Sequence, residues 1–247
     1  MTEEQKNEYR MLVDTSMIDF RRDIQPAGLL RIIESTIEQH LPRIGMDVPT
    51  MVRRYNASWA FLSLAVEILD AVEPGEFLTA RTWFSGRKAM LFRRELELCH
   101  ADGSRAVAGS FFSGIIDLGR RKLIRDPAFL EKFLLEPGET LLEADSRMSP
   151  ELSLYREAGR RKVYPSWVDG LGHVNNARYG DIIYDVLQDD ETAPEGKLKR
   201  LELYFTGELR RGEEVLLLRR DLPGGCSVLG IHEESGGHAF YSNVTFA

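Results

Sequence analysis

Apolar residues recur at helical spacing in two stretches of the chain. The first covers residues 27–40, and its apolar face would consist of Leu29, Leu30, Ile33 and Ile37. Pro26 suits a first helical turn, and Pro42 ends the segment. The second stretch covers residues 174–187. We therefore predict two amphipathic helices, one in each half of the chain.

Strand-like runs follow each helix and are separated by turn signals such as Pro74-Gly75 and Arg211-Gly212. After the first helix, the predicted strands cover residues 61–72, 77–84, 89–99 and 106–118. After the second helix, they cover residues 200–209, 214–221, 226–232 and 239–246. A further strand precedes each helix, at residues 8–20 and 160–167. One helix followed by four strands with hairpin-type turns indicates an α+β fold with antiparallel sheets.

The two halves look like copies of one unit. The pattern L-x-V-x-I at residues 64–68 precedes a turn in the first half, as L-x-L-x-F at residues 201–205 does in the second. This predicts two tandem helix-plus-sheet units, residues 1–125 and 154–247. A linker over residues 126–153 would join them and contain a short helix at residues 128–134. We expect the two units to form one continuous core.

Composition and charge limit the class of protein. Of the 247 residues, 43% are hydrophobic and 29% are charged, as in ordinary folded proteins. The net charge of −7 argues against a nucleic-acid face, which needs positive charge to neutralise phosphates. No apolar run reaches the roughly 20 residues that cross a bilayer, and the N-terminus lacks a secretory signal. We therefore expect a cytoplasmic protein without membrane insertion.

Metal and disulfide chemistry find no support in the spacing of the candidate ligands. Cys99 and Cys226 lie far apart in the sequence and form no C-x-x-C motif. The five histidines show no paired ligand spacing. We therefore expect no metal, no other cofactor and no disulfide framework.

Residues 167–179 concentrate side chains that carry chemistry. Two glycines bracket a loop that brings His173 to the start of the second helix, and Asn175 and Asn176 occupy its first turn. Unpaired N–H groups at a helix start suit a developing oxyanion. A histidine moves protons near neutral pH, and Asp169 can fix its tautomer. Helix capping is the alternative, because Asn and Asp are preferred N-cap residues.

The repeat places an acid in the same copy as this histidine. Glu208 lies late on the predicted strand 200–209 and aligns with Ala71 of the first copy. Pro26 and Ala27 stand in the first copy where the second has the His173 region. A solvent-facing strand residue is the commoner fate of a glutamate. A histidine and an acid in one copy only is nevertheless the asymmetry that one active site per tandem would leave.

The His-Val-Asn-Asn-x-x-Tyr segment at residues 173–179 resembles the signature of the acyl-acyl carrier protein (acyl-ACP) thioesterases, the double hot-dog enzymes of bacteria and plants. Residues 112–118 with Arg120-Arg121 resemble the strand and exit that close the family's first copy, and residues 208–213 resemble its Glu-x-x-x-Gly-Asp/Glu strand. The resemblance implies an α+β double hot-dog fold with a pseudo-dimeric core. It also implies hydrolysis of fatty acyl-ACP to free fatty acid and carrier protein, which terminates or diverts fatty acid biosynthesis.

In that family, an Asp-x-Asn-x-His triplet is followed by a Glu about one helix and one strand later. Carried over to this chain, the resemblance makes Asp169, His173 and Glu208 the catalytic residues, with Asn175 and Asn176 binding substrate. The acyl chain would lie between the sheets and the first helix, beside residues such as Leu29, Leu30 and Ile33.

Two positions depart from the family pattern. Leu171 replaces the Asn of the triplet, so that Asn175 or backbone N–H groups would take over its role. Leu209 stands where some members have a cysteine, which argues against a cysteine nucleophile in this chain. Either Glu208 or His173 would activate water, or a carboxylate would attack the thioester through an anhydride. The sequence leaves these routes open.

The acidic carrier protein is the partner that the resemblance implies, as a transient ligand of a basic surface. Arg120-Arg121-Lys122 or Arg160-Arg161-Lys162 would supply that surface, and simple solvation of these charges is the alternative. Two other functions remain open from the residues: a hot-dog acyl-CoA thioesterase and a non-catalytic module that binds acyl thioesters. A monomer and a homodimer are both compatible with a tandem.

Overall fold

The computed structural model describes residues 7–188 and 196–247. Its contacts divide the chain into two compact units. Unit 1 contains the described residues up to Leu12 together with Ile32–Asp70 and Phe77–Ser146. Unit 2 contains Val13–Arg31, Ala71–Glu76 and the described residues from Arg147 onward. The predicted division into residues 1–125, 126–153 and 154–247 follows sequence order and stays a prediction.

Unit 1 is built on an antiparallel sheet with the strand order β1-β3-β4-β5-β2. The short strand β6 pairs with the end of β5. The strands are β1 (Asn7–Leu12), β2 (Ala57–Ile68), β3 (Phe77–Lys88), β4 (Leu91–Cys99), β5 (Arg105–Asp117) and β6 (Lys122–Leu123).

Helix α1 (Pro26–His40) begins in unit 2 and continues into unit 1, which also contains α2 (Val48–Tyr55) and α3 (Pro127–Leu130). In α1, the apolar residues predicted from helical spacing are buried, Ile33 and Ile37 among them. A hydrophobic cluster joins Met51 of α2 and Leu130 of α3 to aromatic residues of the sheet. These contacts place two short helices over one end of the unit 1 sheet.

Unit 2 repeats the design with the strand order β7-β9-β10-β11-β8, again antiparallel. Its strands are β7 (Arg156–Lys162), β8 (Leu198–Phe205), β9 (Glu214–Leu222), β10 (Gly225–His232) and β11 (His238–Phe246). Helix α4 (Asn176–Gln188) buries Ile182, Ile183, Val186 and Leu187. The α4 backbone lies close to the start of α1 at Gly180, where an added Cβ would come 2.5 Å from the Ala27 nitrogen.

The α+β prediction, with one long helix and an antiparallel sheet in each repeat, is confirmed. The predicted strand at residues 8–20 is too long, because Asp14 accepts the Ser16 N–H at 2.7 Å and begins a 3₁₀ turn at Thr15–Met17. The predicted strand at residues 160–167 similarly ends at Lys162, before a 3₁₀ turn at Pro165–Trp167.

Two further differences concern a loop and a helix. The predicted strand 200–209 ends at Phe205, which leaves Glu208 in a loop and corrects its placement on a strand. Helix α2 (Val48–Tyr55) was not predicted from the sequence, because it is only eight residues long and gives a short periodic signal. Its start is fixed locally, since the Asp47 carboxylate accepts the Thr50 N–H at 3.0 Å.

None of the described helices is long and apolar enough to cross a membrane. Within residues 7–188 and 196–247, no three His, Cys, Asp or Glu side chains are grouped in a way that would hold a metal ion. Cys99 and Cys226 are free, buried thiols, and burial raises the pKa of each.

Candidate active site

A tight hairpin precedes α4 and presents the predicted histidine. Val168 and Val174 form an isolated antiparallel bridge, and the Asp169 N–H donates to the His173 carbonyl at 3.0 Å. Gly172, at the tip, has φ +87°, a left-handed value that glycine adopts without strain. The hairpin therefore holds Asp169 and His173 on facing arms.

The Asp169 and His173 side chains are close together, as the sequence predicts. Nδ1 of His173 lies 3.7 Å from Oδ2 of Asp169, which is an electrostatic contact longer than a hydrogen bond. The other carboxylate oxygen, Oδ1, accepts the Leu171 N–H at 2.8 Å and closes the hairpin tip. The His173 and Asp169 side chains are 27% and 26% exposed, so a substrate can reach them.

The loop that carries Glu208 is joined to this hairpin through the backbone. The Val174 N–H donates to the Leu209 carbonyl at 2.8 Å, so the residues that directly follow His173 and Glu208 are hydrogen-bonded to each other. Leu209 itself is fully buried, so in this chain the residue at the position of the family cysteine packs in the core. The structure therefore brings the predicted histidine and glutamate segments together.

Tyr179 on α4 lies at the same junction, although the sequence analysis did not assign it to the site. Burial raises the pKa of its hydroxyl; a hydrogen bond with the Leu209 backbone opposes this rise, and the charges of Glu208 and Asp169 add to it. Its ring packs edge-on against Phe205 at a centroid distance of 5.1 Å. Tyr179 is the last residue of the His-Val-Asn-Asn-x-x-Tyr motif, and this place in the motif is the sequence signal that points to it.

An arginine accompanies Glu208. Nη2 of Arg210 lies 3.1 Å from Oε2 of Glu208, and the Arg210 N–H donates to Oε2 of Glu213 at 2.8 Å. The Glu208 and Arg210 side chains are 36% and 54% exposed. In the sequence, Arg210 is visible only as half of a basic pair, and its place two residues after Glu208 is the signal that points to it.

Asn175 caps helix α4, as the capping alternative predicts. Its Oδ1 accepts the Ala177 N–H at 3.0 Å, and its carbonyl accepts the Arg178 N–H at 2.9 Å. The N–H groups of Val174 and Asn175 are also bonded, to the Leu209 and Trp167 carbonyls, so neither is left to stabilise an oxyanion. In the described part of the chain, the Asn176 N–H has no acceptor. It is therefore the backbone donor that this helix start offers to a ligand.

The first copy repeats the hairpin with different chemistry. The Asp19 N–H donates to the Asp23 carbonyl at 2.8 Å, which matches the bond between Asp169 and His173. Asp23 therefore takes the place of His173, and Pro26 takes the place of Asn176, three residues later. The alignment of the two copies at this hairpin follows from the equivalent backbone hydrogen bonds, which cannot be read from the sequence pattern.

The two acids of the first-copy hairpin are occupied by other side chains. The Tyr184 hydroxyl donates to Oδ2 of Asp19 at 2.7 Å, and Lys197 Nζ lies 3.1 Å from Oδ1 of Asp23. In this copy, both acids make structural contacts at the place where the second copy has an accessible histidine.

The remaining predicted positions divide between core and surface. Leu29, Leu30 and Ile33 are at most 1% exposed and pack in the core. Leu171 is 52% exposed at the hairpin tip. Its side chain therefore replaces the family amide with an apolar group on the rim of the site.

The two basic runs differ in their ion pairs. In the second run, Arg160 is paired with Glu157 and with Glu233, the latter at 3.0 Å. In the first run, Arg120 and Lys122 are exposed and have no ion-pair partner among the described residues. They line an open groove of unit 1 together with Tyr55, Asp117, Arg125, Asp126 and Phe129.

Comparison with known proteins identifies the family. Residues 4–128 match the sequence model of the acyl-ACP thioesterase N-terminal domain, and residues 157–240 match that of the C-terminal domain. No curated protein matches the chain in sequence.

Solved structures share the whole fold. An acyl-ACP thioesterase from Bacteroides thetaiotaomicron superposes with a TM-score of 0.86 at 19% identity, over 100% of both chains. The 12:0-ACP thioesterase from Umbellularia californica gives a TM-score of 0.83 at 12% identity, over 98% of this chain and 97% of the other. These likenesses confirm the predicted hot-dog-like α+β fold. Together with the two domain matches, they lead to one conclusion: the chain belongs to the acyl-ACP thioesterase family.

Proposed function

We propose that Asp169, His173 and Glu208 carry the hydrolysis that this acyl-ACP thioesterase performs. The reaction is the cleavage of a fatty acyl-ACP thioester by water, which yields free fatty acid and carrier protein. The observation that supports the assignment is the hydrogen bond between Val174 and Leu209, because it holds the His173 hairpin against the Glu208 loop.

In the proposed reaction, Glu208 takes a proton from water while the water oxygen attacks the thioester carbonyl carbon. The carbonyl oxygen becomes an oxyanion, which the Asn176 N–H at the start of α4 stabilises. The C–S bond then breaks, and His173 protonates the departing thiolate. Nucleophilic attack by Glu208, with an anhydride intermediate, is the alternative that the same geometry allows.

Asp169 and Arg210 act on the two proton-carrying groups. Asp169 stabilises a protonated His173 from 3.7 Å, and its bond to the Leu171 N–H keeps it in place. Arg210 orients the Glu208 carboxylate from 3.1 Å. Asn175 acts indirectly, since its side chain caps the start of the helix at which the Asn176 N–H is left to bind the oxyanion. Asn176 contributes its backbone donor.

Substituting Glu208 tests this assignment. We expect Glu208→Gln to lower kcat on acyl-ACP by about 10²–10⁴-fold, the usual contribution of a general base. Arg210→Met removes the partner and keeps the carboxylate, so it serves as the matched control with a smaller loss. Glu208→Gln activity within threefold of the wild type would refute the role.

The carrier protein docks, in our proposal, on the groove beside Arg120 and Lys122. These two cations lack internal partners, whereas Arg160 of the other run is already neutralised by two glutamates. An acidic partner gains most from charges that are not already paired. The enzyme is further proposed to be cytoplasmic, to work as a monomer or homodimer, and to confine catalysis to residues 154–247.

Charge reversal tests the docking face. The double variant R120E/K122E should raise KM for acyl-ACP about tenfold or more at low salt and leave kcat unchanged. Arg160→Glu is the matched control and should change KM little. Equal effects of the two changes would contradict the proposed face. A preference for acyl-CoA over acyl-ACP in the wild type would favour the acyl-CoA thioesterase instead.

A further inference from the structure

The interior of unit 1 contains a polar cluster: Tyr9 on β1, His40 at the end of α1 and Arg94 on β4. Tyr9 and His40 are 6% and 0% exposed. The Tyr9 hydroxyl and both ring nitrogens of His40 have no hydrogen-bond partner among the described residues. Buried polar atoms are normally satisfied, so each unpaired one requires an explanation.

Arg94 is almost unpaired as well. Within the described residues, its one hydrogen bond joins Nη1 to the Thr82 hydroxyl at 3.5 Å, the outer limit for such a bond. Unit 2 shows how this protein treats a buried guanidinium with a structural role. Nε of Arg219 lies 2.8 Å from Oδ1 of Asp221, and Nη1 donates to the Val186 carbonyl at 3.2 Å. Among the described residues, Arg94 has neither a carboxylate nor a carbonyl of this kind.

A cavity of about 50 Å³ adjoins the Arg94 side chain. A single water needs roughly 10–15 Å³, so the space is large enough for a short alkyl segment. Its other walls are mainly apolar and include Ile37, Leu41, Met46, Phe84, Phe92 and Phe133. An apolar space that ends on a cation is suited to an amphiphilic anion.

The charge states of the cluster are compatible with an anionic ligand. Burial lowers the pKa of Arg94 to about 10, with Tyr9 opposing the shift, so the guanidinium is charged at neutral pH. Burial and the positive charges of Arg94 and Arg43 lower the pKa of His40 to about 3, so its ring is neutral and can donate one hydrogen bond. Of the cluster, Arg94 lines the cavity, and no carboxylate pairs with it among the described residues. The other cation of the lining, Arg93, is already paired with Glu95 at 2.8 Å.

We propose that this cavity binds the carboxylate end of an aliphatic chain, with the carboxylate on Arg94 and the chain among the apolar walls. A guanidinium matches a carboxylate with two parallel hydrogen bonds. Two sources carry this chemistry: a free fatty acid, and an acyl chain whose far end bears a second carboxyl group. None of the residues proposed for hydrolysis belongs to the cluster.

Calorimetric titration of the full chain with sodium octanoate tests the binding directly. Arg94→Met should weaken octanoate binding at least about tenfold, and Arg94→Lys should restore part of it. Arg53→Met, at an exposed position of α2, is the control and should bind as the wild type does. Equal octanoate affinity in the wild type and Arg94→Met would overturn the proposal, as would octanol binding as tightly as octanoate.

Hydrolysis of two carrier-protein thioesters distinguishes the sources. One carries an eight-carbon acyl chain and the other the same chain with a terminal carboxyl group. A loss of kcat/KM in Arg94→Met for the carboxylated substrate alone identifies the acyl chain as the source. An effect of Arg94→Met on octanoate binding alone identifies the free acid, and no effect on either refutes the site.

A measurement on the wild type covers the case in which Arg94→Met does not fold. Octanoate should raise the melting temperature, and octylamine at the same concentration should not, because its charge is opposite. Equal shifts would refute the proposal. Since these measurements read binding, their failure is distinct from a failure of the catalytic assignment.

Discussion

Acidification from pH 7.5 to 5.0 should reduce the stability of this protein by about 2 kcal/mol through His40 alone. The ring is fully buried and its nitrogens have no partners among the described residues. Burial and the nearby cations Arg94 and Arg43 lower the pKa of His40 from 6.5 to about 3. Between these two values the unfolded chain binds a proton that the folded chain does not.

The sign and size follow from that difference. Because the unfolded state holds the extra proton, stability is complete above pH 6.5 and falls as the pH decreases towards 3. At pH 5.0 the unfolded histidine is protonated about 30-fold over its neutral form, which corresponds to about 2 kcal/mol. At pH 7.5 the same contribution is below about 0.1 kcal/mol.

Urea unfolding of the wild type and His40→Leu at both pH values measures this contribution. The variant should lose less stability on acidification than the wild type, by about 2 kcal/mol. Comparing the two proteins at pH 7.5 gives the effect of repacking alone. An identical pH dependence in both proteins would refute a neutral, buried His40.

Two substitutions test interior packing, one within each unit. Gly180→Ala should lower the stability of the protein by about 1–3 kcal/mol, because the new Cβ would lie 2.5 Å from the Ala27 nitrogen. Gly170→Ala, whose Cβ would meet nothing within 4 Å, is the control, and equal melting temperatures for the two variants would contradict the close approach. Glu95→Ala should cost about 3–5 kcal/mol in urea unfolding, because it removes a fully buried carboxylate that lies 2.8 Å from Nε of Arg93. A loss below about 1 kcal/mol would show that Arg93 finds another partner.

Hydrophobic periodicity is sufficient to predict the tandem and its strands. The two long helices and the four strands after each lie within a few residues of their predicted places, because alternation and helical spacing reflect which face is buried. The chain segments around Val13 and Val163 do not follow such a rule. After Val13, the Asp14 carboxylate accepts the Ser16 N–H and the strand ends early. After Val163, a 3₁₀ turn begins at Pro165 without a side-chain cap.

The candidate site is predicted in its residues and only partly in its geometry. Glycines, a histidine and asparagines before a helix point to His173 and Asp169, which the structure brings together. Whether Asn175 caps the helix or binds substrate depends on one side-chain rotation, which no sequence pattern encodes. Arg210 and Tyr179 are missed because their contacts with Glu208 and Leu209 form only after the loop folds.

The polar cluster of unit 1 is the feature furthest from the reach of sequence reasoning. Tyr9, His40 and Arg94 belong to three separate elements, and each looks ordinary by itself. Strand register places Tyr9 opposite Ala80, and Arg94 opposite Phe84, on neighbouring strands of one sheet. Only this long-range pairing reveals that the three polar groups share one interior.

In the proposed enzyme, one hairpin of the tandem is catalytic and its counterpart is structural. The most direct measurement compares release of carrier-protein thiol from acyl-ACP by His173→Ala and by Asp23→Ala, the same substitution at equivalent hairpin positions. Our account predicts that His173→Ala lowers kcat about 100-fold or more and that Asp23→Ala stays within about threefold of the wild type. Equal losses in the two variants, or full activity in His173→Ala, would contradict it.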